Sequence, residues 1–433
     1  MGKPTVSTDT VRLTEQESLA NVHAVLHLCA SGRLRCSEKT RRPSSATVSA
    51  VAQALSAGDF FAHDAIAAFA WPLLIHAGGL AEQAGSRLQL TARGRSALSK
   101  PGAETVRQLW RRWVSHGLID EMSRIEAIKG QRCANVLTAL KPRRQIVAEA
   151  LAGCSAGEWI TVDELFAVMR RENLSPTIAR SERGLWRLYL VDPEYGSLGY
   201  ADFSNWPMLE GRYTLCVLFE YAATLGLLDV TYTDPAGARD DFRGNCAAED
   251  LDCLSRYDGL RAIRINALGA YVLGLADTYQ ATGGTEQELK VLPNLDIVAL
   301  SEIPVADRLV LDAYAERTSD RVWSLTATAL LAALDTGRSL EEFSRFLGNR
   351  CHTELPSTVT TLIDDVARRS SRLRDLGMTQ LVECADPALA TLIANDRSLR
   401  TLCRPIGDRH LAIPPESGGA FRKGLRTLGY SLH

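Results

Sequence analysis

The sequence predicts a mainly α protein with small β-hairpins, an α+β class assembled from three parts. Three observations lead there. Apolar residues recur at helical spacing, as in Leu19, Val22, Val25, Leu26 and Cys29. Short alternating stretches, such as Arg87-Leu88-Gln89-Leu90 and Arg261-Ala262-Ile263-Arg264-Ile265, follow helical stretches and precede capping residues. A small-residue break, Ala281-Thr282-Gly283-Gly284-Thr285, separates a repeated part from a differently patterned one. The 433 residues are 46% hydrophobic and 23% charged, which excludes wholesale disorder and leaves room for several domains.

Residues 1–13 are polar and aperiodic and predict a flexible arm. A helix over 15–29 follows, then a basic loop with Arg33, Arg35, Lys39, Arg41 and Arg42. Ser45 or Thr47 can cap a second helix over 48–55, and a third runs over 64–76 to Gly78-Gly79. The alternating stretch at 87–90 and a helix opened by Thr91 close the unit. Three helices, a strand, a turn and a strand form the order of a winged helix. The phrase LQLTARGRSAL resembles the wing strand and following helix of such proteins. This gives a winged-helix-like module over 14–100, and a helical connector over 101–142 that contains Trp110, Arg111, Arg112 and Trp113.

The pattern recurs over 143–280, which predicts a tandem arrangement. FAWPLLIHAGGLAEQ with RLQLTARGRSAL aligns by role with LFEYAATLGLLDVTY and RAIRINALGAYVL. In the second copy a helix over 143–151 precedes a strand at 158–160, Thr161 opens a helix through Met169, and an apolar helix runs over 213–225. Two inserts interrupt this copy. The first, 173–212, carries Trp186, Tyr189, Tyr195, Tyr200, Phe203 and Trp206: a platform for bases or a partner, or a packed excursion that covers its own rings. The second, 234–258, is acidic and holds Cys246 and Cys253 with no histidine near, a poor metal site.

Charge is uneven beneath a net value of −2. Residues 1–145 carry 20 Lys+Arg against 11 Asp+Glu, and residues 146–283 carry 11 against 20. Such asymmetry predicts different partners for the two parts, or attraction between them within the fold. The ten cysteines lack C-x-x-C spacing, no apolar run is long enough for a bilayer, and the amino terminus has no apolar core. These features predict a reduced, cytoplasmic protein with no membrane, metal or cofactor.

Residues 286–433 read as an α+β domain. LKVLPNLDIVAL, VWSLTATALLAALDTGRSLEEFSRFL, TELPSTVTTLIDDVARR and LVECADPALATLIAND, with the late Arg404-Pro405-Ile406, resemble the domain preceding the motor in bacterial XPB-type DNA helicases. That domain also occurs alone in helicase-associated proteins. The resemblance covers the last third of the chain. The motor itself has no counterpart: there is no G-x-x-x-x-G-K-[ST], and Ile363-Asp364-Asp365-Val366 falls in a helical pattern. The resemblance therefore implies an accessory domain without its own ATPase.

No G-x-S-x-G, H-E-x-x-H or G-x-G-x-x-G occurs, and the adjacent Cys351-His352 pair diverges, so no catalytic residue is assigned. The expectation is a non-enzymatic DNA-binding or adaptor subunit that positions a helicase, ATPase or nuclease acting in trans, in DNA repair or anti-phage defence. The alternative is a protein-interaction scaffold that never touches DNA. Candidate DNA contacts are Arg33, Arg35, Lys39, Arg41, Arg42, Arg87, Arg93 and Arg95, with Arg368, Arg369, Arg372 and Arg374 as a second basic run. The third helix offers no Arg, Asn or Gln to base edges, so contacts should fall on phosphates and tolerate any sequence.

Overall fold

A computed structural model describes residues 9–133, 135–200, 206–245, 248–280, 289–301, 303–351, 354–370, 372 and 378–432. It is mixed α+β, with helices interleaved among small antiparallel sheets. Two compact units emerge, Met1–Thr361 and Leu362–His433. The division lies inside the helix Ser357–Ser370 and not at the glycine-rich 281–285 segment, which falls outside the described residues.

In the first unit, the helix Glu15–Ala30 buries Val22, Val25, Leu26 and Cys29, the stripe its spacing predicts. The next helix, Ser45–Ala54, is capped by Ser44, neither by Ser45 nor by Thr47. Ser44 Oγ accepts the Thr47 N–H at 3.2 Å. Thr47 is engaged elsewhere, its hydroxyl accepting the Arg35 N–H and donating to the Arg35 carbonyl. The third helix, Ala67–Ala77, starts where Asp59 accepts the N–H groups of Ile66, Ala67 and Ala68. Strands Ala81–Ala84 and Arg87–Leu90 form a hairpin. Residues 34–36 bridge to its outer side, with Leu88 N–H donating to Leu34 O and Cys36 N–H to Ser86 O.

The second copy repeats this plan in one sheet. Strand Trp159–Thr161 pairs with Leu260–Ile265, which pairs with Leu228–Tyr232. Four backbone details match between the copies. Gly79 and Gly226 both end their helices in the left-handed region, at φ 71° and 74°. The following N–H groups, of Leu80 and Leu227, reach back to the carbonyls of Ile75 and Ala222. Thr91 and Asn266 cap the helices Ala92–Ala97 and Ala267–Leu273 by accepting the N–H of Gly94 and Gly269. At both glycines a Cβ would lie within 2.0 Å of a hairpin carbonyl, that of Leu80 or Leu227.

Two expectations are corrected. The supposed arm contributes a strand, Thr10–Arg12, that pairs with Tyr232–Val230 of the second copy; residues 1–8 lie outside the described residues. Thr14 fixes it, its N–H donating to Asp229 and its hydroxyl to the Leu228 carbonyl. The connector over 101–142 is only partly helical. It forms Gly102–Ser115, a 3-10 turn Glu121–Arg124 and a short strand Ile128–Lys129.

Both third helices are buried on nearly every side because each faces protein all round. All of Ala67–Ala77 is buried except His76. Its counterpart is one continuous helical run, π-helical at Pro207–Gly211, α-helical at Arg212–Cys216 and π-helical again at Val217–Ala223. The two pack on each other and on Gly102–Ser115. Phe60 and Phe61 seal the contact against Phe219 and Tyr232, with ring centroids 4.7–6.0 Å apart.

Charges cross this core in pairs. Arg124 donates to both Glu220 oxygens (3.0 and 2.8 Å) and to the Ala65 carbonyl, and Tyr257 donates to Glu220. Arg144 pairs with Glu121, which also accepts from Tyr213. Arg212 is held bidentate by Asp258.

Residues 289–361 pack into the same unit. A four-stranded sheet runs in the order Glu316–Ser319, Val322–Ser324, Asp296–Ala299, Leu289–Val291. Its helix Val305–Tyr314 lies along Glu15–Ala30. Helices Ala327–Asp335 and Leu340–Cys351 follow. In the second unit, strand His410–Ile413 sits between Gln380–Glu383 and Arg404–Ile406. Helices Pro387–Asn395 and Gly418–Thr427 cover one face, burying Ile393, Leu411, Ile413 and Phe421.

Candidate nucleic-acid interface

The basic loop is built onto the hairpin, not left loose in solvent. Arg35 lies directly opposite Arg87 across the strand pairing, and Arg87 leans over Gly32. The loop closes on itself through Ser37 N–H to Arg42 O and Arg41 N–H to Ser37 O. Arg41, at φ 60°, donates to Gln83 Oε1 (2.6 Å), and Gln83 returns a bond to the Cys36 carbonyl (3.0 Å). Arg33, Arg35, Lys39, Arg41 and Arg87 are exposed along this edge. Glu38 in the same loop and Glu82 on the hairpin are also exposed, so the cations of this edge outnumber its acids five to two.

The other predicted contacts separate. Arg42 turns away and donates to the carbonyl and hydroxyl of Ser123. Arg93 is exposed on Ala92–Ala97, and Arg95 folds back onto the Leu90 carbonyl while remaining exposed. Arg368 and Arg369 both pair with Asp365 on their own helix, in exposed contacts that contribute little to stability. Arg372 is exposed, and Arg374 lies outside the described residues.

The third helix cannot enter a DNA groove, since only His76 of its eleven residues escapes full burial. The aromatic insert splits. Trp206 packs on Phe166 and donates to Ser175, Tyr189 is half-buried, and Trp186, Tyr195 and Tyr200 are exposed. Trp186 and Tyr200 meet edge to face at 4.8 Å. Phe203 and Cys246 lie outside the described residues. In the acidic insert, Asp241 and Asp258 are committed to Arg212. Among the described residues no His, Cys, Asp and Glu group could hold a metal ion. Burial pushes the thiols of Cys29 and Cys36 up to about 12 and about 11, so both stay protonated at neutral pH.

Sequence reasoning missed the buried pairs Arg124–Glu220 and Arg144–Glu121. Their residues sit 96 and 23 positions apart, with nothing local to mark them. No helix among the described residues is long and apolar enough to cross a membrane.

Comparison with known proteins bears on the last third. No curated protein matches the chain. Residues 290–404 match the family model of the helicase conserved C-terminal domain, about a quarter of the chain. The match begins in the sheet that packs into the first unit and ends in the second. Residues 290–404 therefore carry a helicase-associated domain.

Proposed function

We propose that this chain is a non-catalytic DNA-binding subunit that positions a helicase, ATPase or nuclease acting in trans. In this reading tandem winged-helix modules precede a domain like the one before the motor of XPB-type helicases. The setting is cytoplasmic, in DNA repair or anti-phage defence. The observation that carries it is the basic edge: Arg33, Arg35, Lys39, Arg41 and Arg87 exposed on a braced loop and hairpin, in a chain with a helicase-associated domain. Burial of the third helix removes base reading, so binding goes to phosphates and tolerates sequence.

The test is the quadruple charge reversal R33E/R35E/R41E/R93E, with duplex DNA binding followed against salt. Each lost phosphate contact should flatten the log–log slope by about 0.9 and weaken all duplexes alike. A folded variant that binds duplex as the parent does sinks the proposal. The second reading, a scaffold without DNA, draws on the mutual burial of both third helices, and predicts no salt-dependent duplex binding by the parent.

A further inference from the structure

The first unit contains a half-open cleft of about 1650 Å³ between the wing side of the first module and the helicase-matched segment. Helix Glu15–Ala30 forms its base through Leu19, His23 and His27. One wall carries Arg87, Arg95 and Lys100, and the facing wall carries Arg338 and Arg345. Arg350 also lines it but is paired with Asp307. Against the five remaining cations stand two acids, Glu82 and Glu342. Arg87, Arg338 and Arg345 form no ion pair among the described residues.

We infer that this cleft holds a single nucleic-acid strand, whose phosphates bridge the first module and the helicase-matched segment. The inference deepens the DNA-binding reading above and rests on it. Three observations select the occupant. Cations on opposed walls call for an occupant that is anionic on two sides. The volume exceeds the ~300–1,000 Å³ of small-molecule pockets. A duplex is too wide: a rod ~20 Å across rising ~3.4 Å per pair fills ~1,000 Å³ per pair, so fewer than two pairs would fit.

A single strand of about three nucleotides suits the space and uses what else is there. Phe346 and Tyr279 line the cleft half-buried, offering ring faces to bases. His27 is buried with Nδ1 lacking any hydrogen-bond partner, and it too lines the cleft. A neutral imidazole nitrogen left over at the base of the cleft can bond to a base edge without adding charge.

The experiment measures anisotropy of fluorescein-labelled oligo(dT) and of a blunt duplex, using the full chain and three variants. R338Q/R345Q alters only the helicase-side wall; R33E/R35E/R41E/R93E alters only the outer edge. R338Q/R345Q should weaken oligo(dT) roughly tenfold or more at about 50 mM salt and flatten its salt slope by about 1.4. Its duplex affinity and its unfolding midpoint should match the parent. Because both arginines line an open cleft, the Gln variant is expected to fold; K100Q, from the opposite wall, gives a second reading with a slope change of about 0.7.

Unchanged oligo(dT) binding by both R338Q/R345Q and K100Q overturns the inference. So does a parent that binds an acidic peptide in the cleft and no oligo(dT). If the parent binds oligo(dT) through these residues and no duplex, the cleft stands and the outer-edge reading fails.

Discussion

Replacing Gly94 or Gly269 by alanine puts the repeat itself to a test. A Cβ at Gly94 would sit 1.9 Å from the Leu80 carbonyl oxygen, and one at Gly269 would sit 2.0 Å from that of Leu227. Ordinary carbon–oxygen contact needs ~3.3 Å, so each helix must retreat ~1.3 Å from its hairpin. The carbonyl cannot yield, because Leu80 O accepts the Thr91 N–H and hydroxyl. Overpacking of this kind costs about 1–3 kcal/mol, while the better helix propensity of alanine returns about 1. A net loss near ~1 kcal/mol is expected at both sites. Gly348 supplies the opposite sign: it lies in Leu340–Cys351 with nothing within 4 Å of its would-be Cβ, so G348A should gain about 0.8–1.0 kcal/mol. Urea unfolding followed by tryptophan fluorescence is the assay. All seven tryptophans fall before residue 362, so the signal reports the first unit alone. With an m-value of about 3 kcal/mol/M, G94A and G269A should lower the midpoint by about 0.3 M. Either variant unfolding at the parent's midpoint refutes the helix-on-carbonyl argument.

Two further outcomes follow from buried charge. R124M strands Glu220 in the core with Tyr257 and should cost about 3–5 kcal/mol in the same assay; R124M/E220M should recover much of that, and a double variant as unstable as the single would contradict it. Burial raises the Glu210 carboxyl to about 7, above its unfolded value near ~4.3, so its contribution is full at low pH and is lost as pH rises through about 7. E210Q should therefore match the parent near pH 4 and exceed it by about 3–4 kcal/mol at pH 8, and equal stability at both pH values would refute the sign.

The fold was legible wherever local rules act alone. Thr161 with Glu164 makes the capping box that its spacing announces, and Asn266 and Thr91 cap as their positions predict. The repeat is visible because each copy ends its third helix at a glycine, Gly79 or Gly226, and caps the last helix three residues before another, Thr91–Gly94 or Asn266–Gly269, with the acidic insert lengthening the gap in the second copy. Non-local features were not legible. Strand Thr10–Arg12 is three residues long, with only Val11 apolar, and takes its state from a partner roughly 220 positions away. Strand Glu316–Ser319 is exposed throughout and has no alternation to detect. Ser44 does not stand out as a cap because Ser45 and Thr47 have the same chemistry, and only the Arg35 backbone decides between them. At the interface, composition identified the exposed cations but could not show that Arg42 turns inward, or that Arg87 and Arg95 face Arg338 and Arg345 across 240 or more residues of sequence.

The pairing of Thr10–Arg12 with the second copy has a consequence for how the protein is made. Thr14 waits for Asp229, 215 residues further on. At about 5–20 residues per second, a ribosome needs roughly 10–40 s to deliver that partner. Over that interval the first copy has also not met the helical run that buries Ala67–Ala77, so an apolar helix stays uncovered. The two copies thus mature together, late in synthesis, and the nascent chain is open to chaperones or to aggregation until the second sheet exists. Once made, that sheet ends on the three-residue strand Thr10–Arg12 and not on the five residues of Leu228–Tyr232, which shortens the edge open to pairing with other chains.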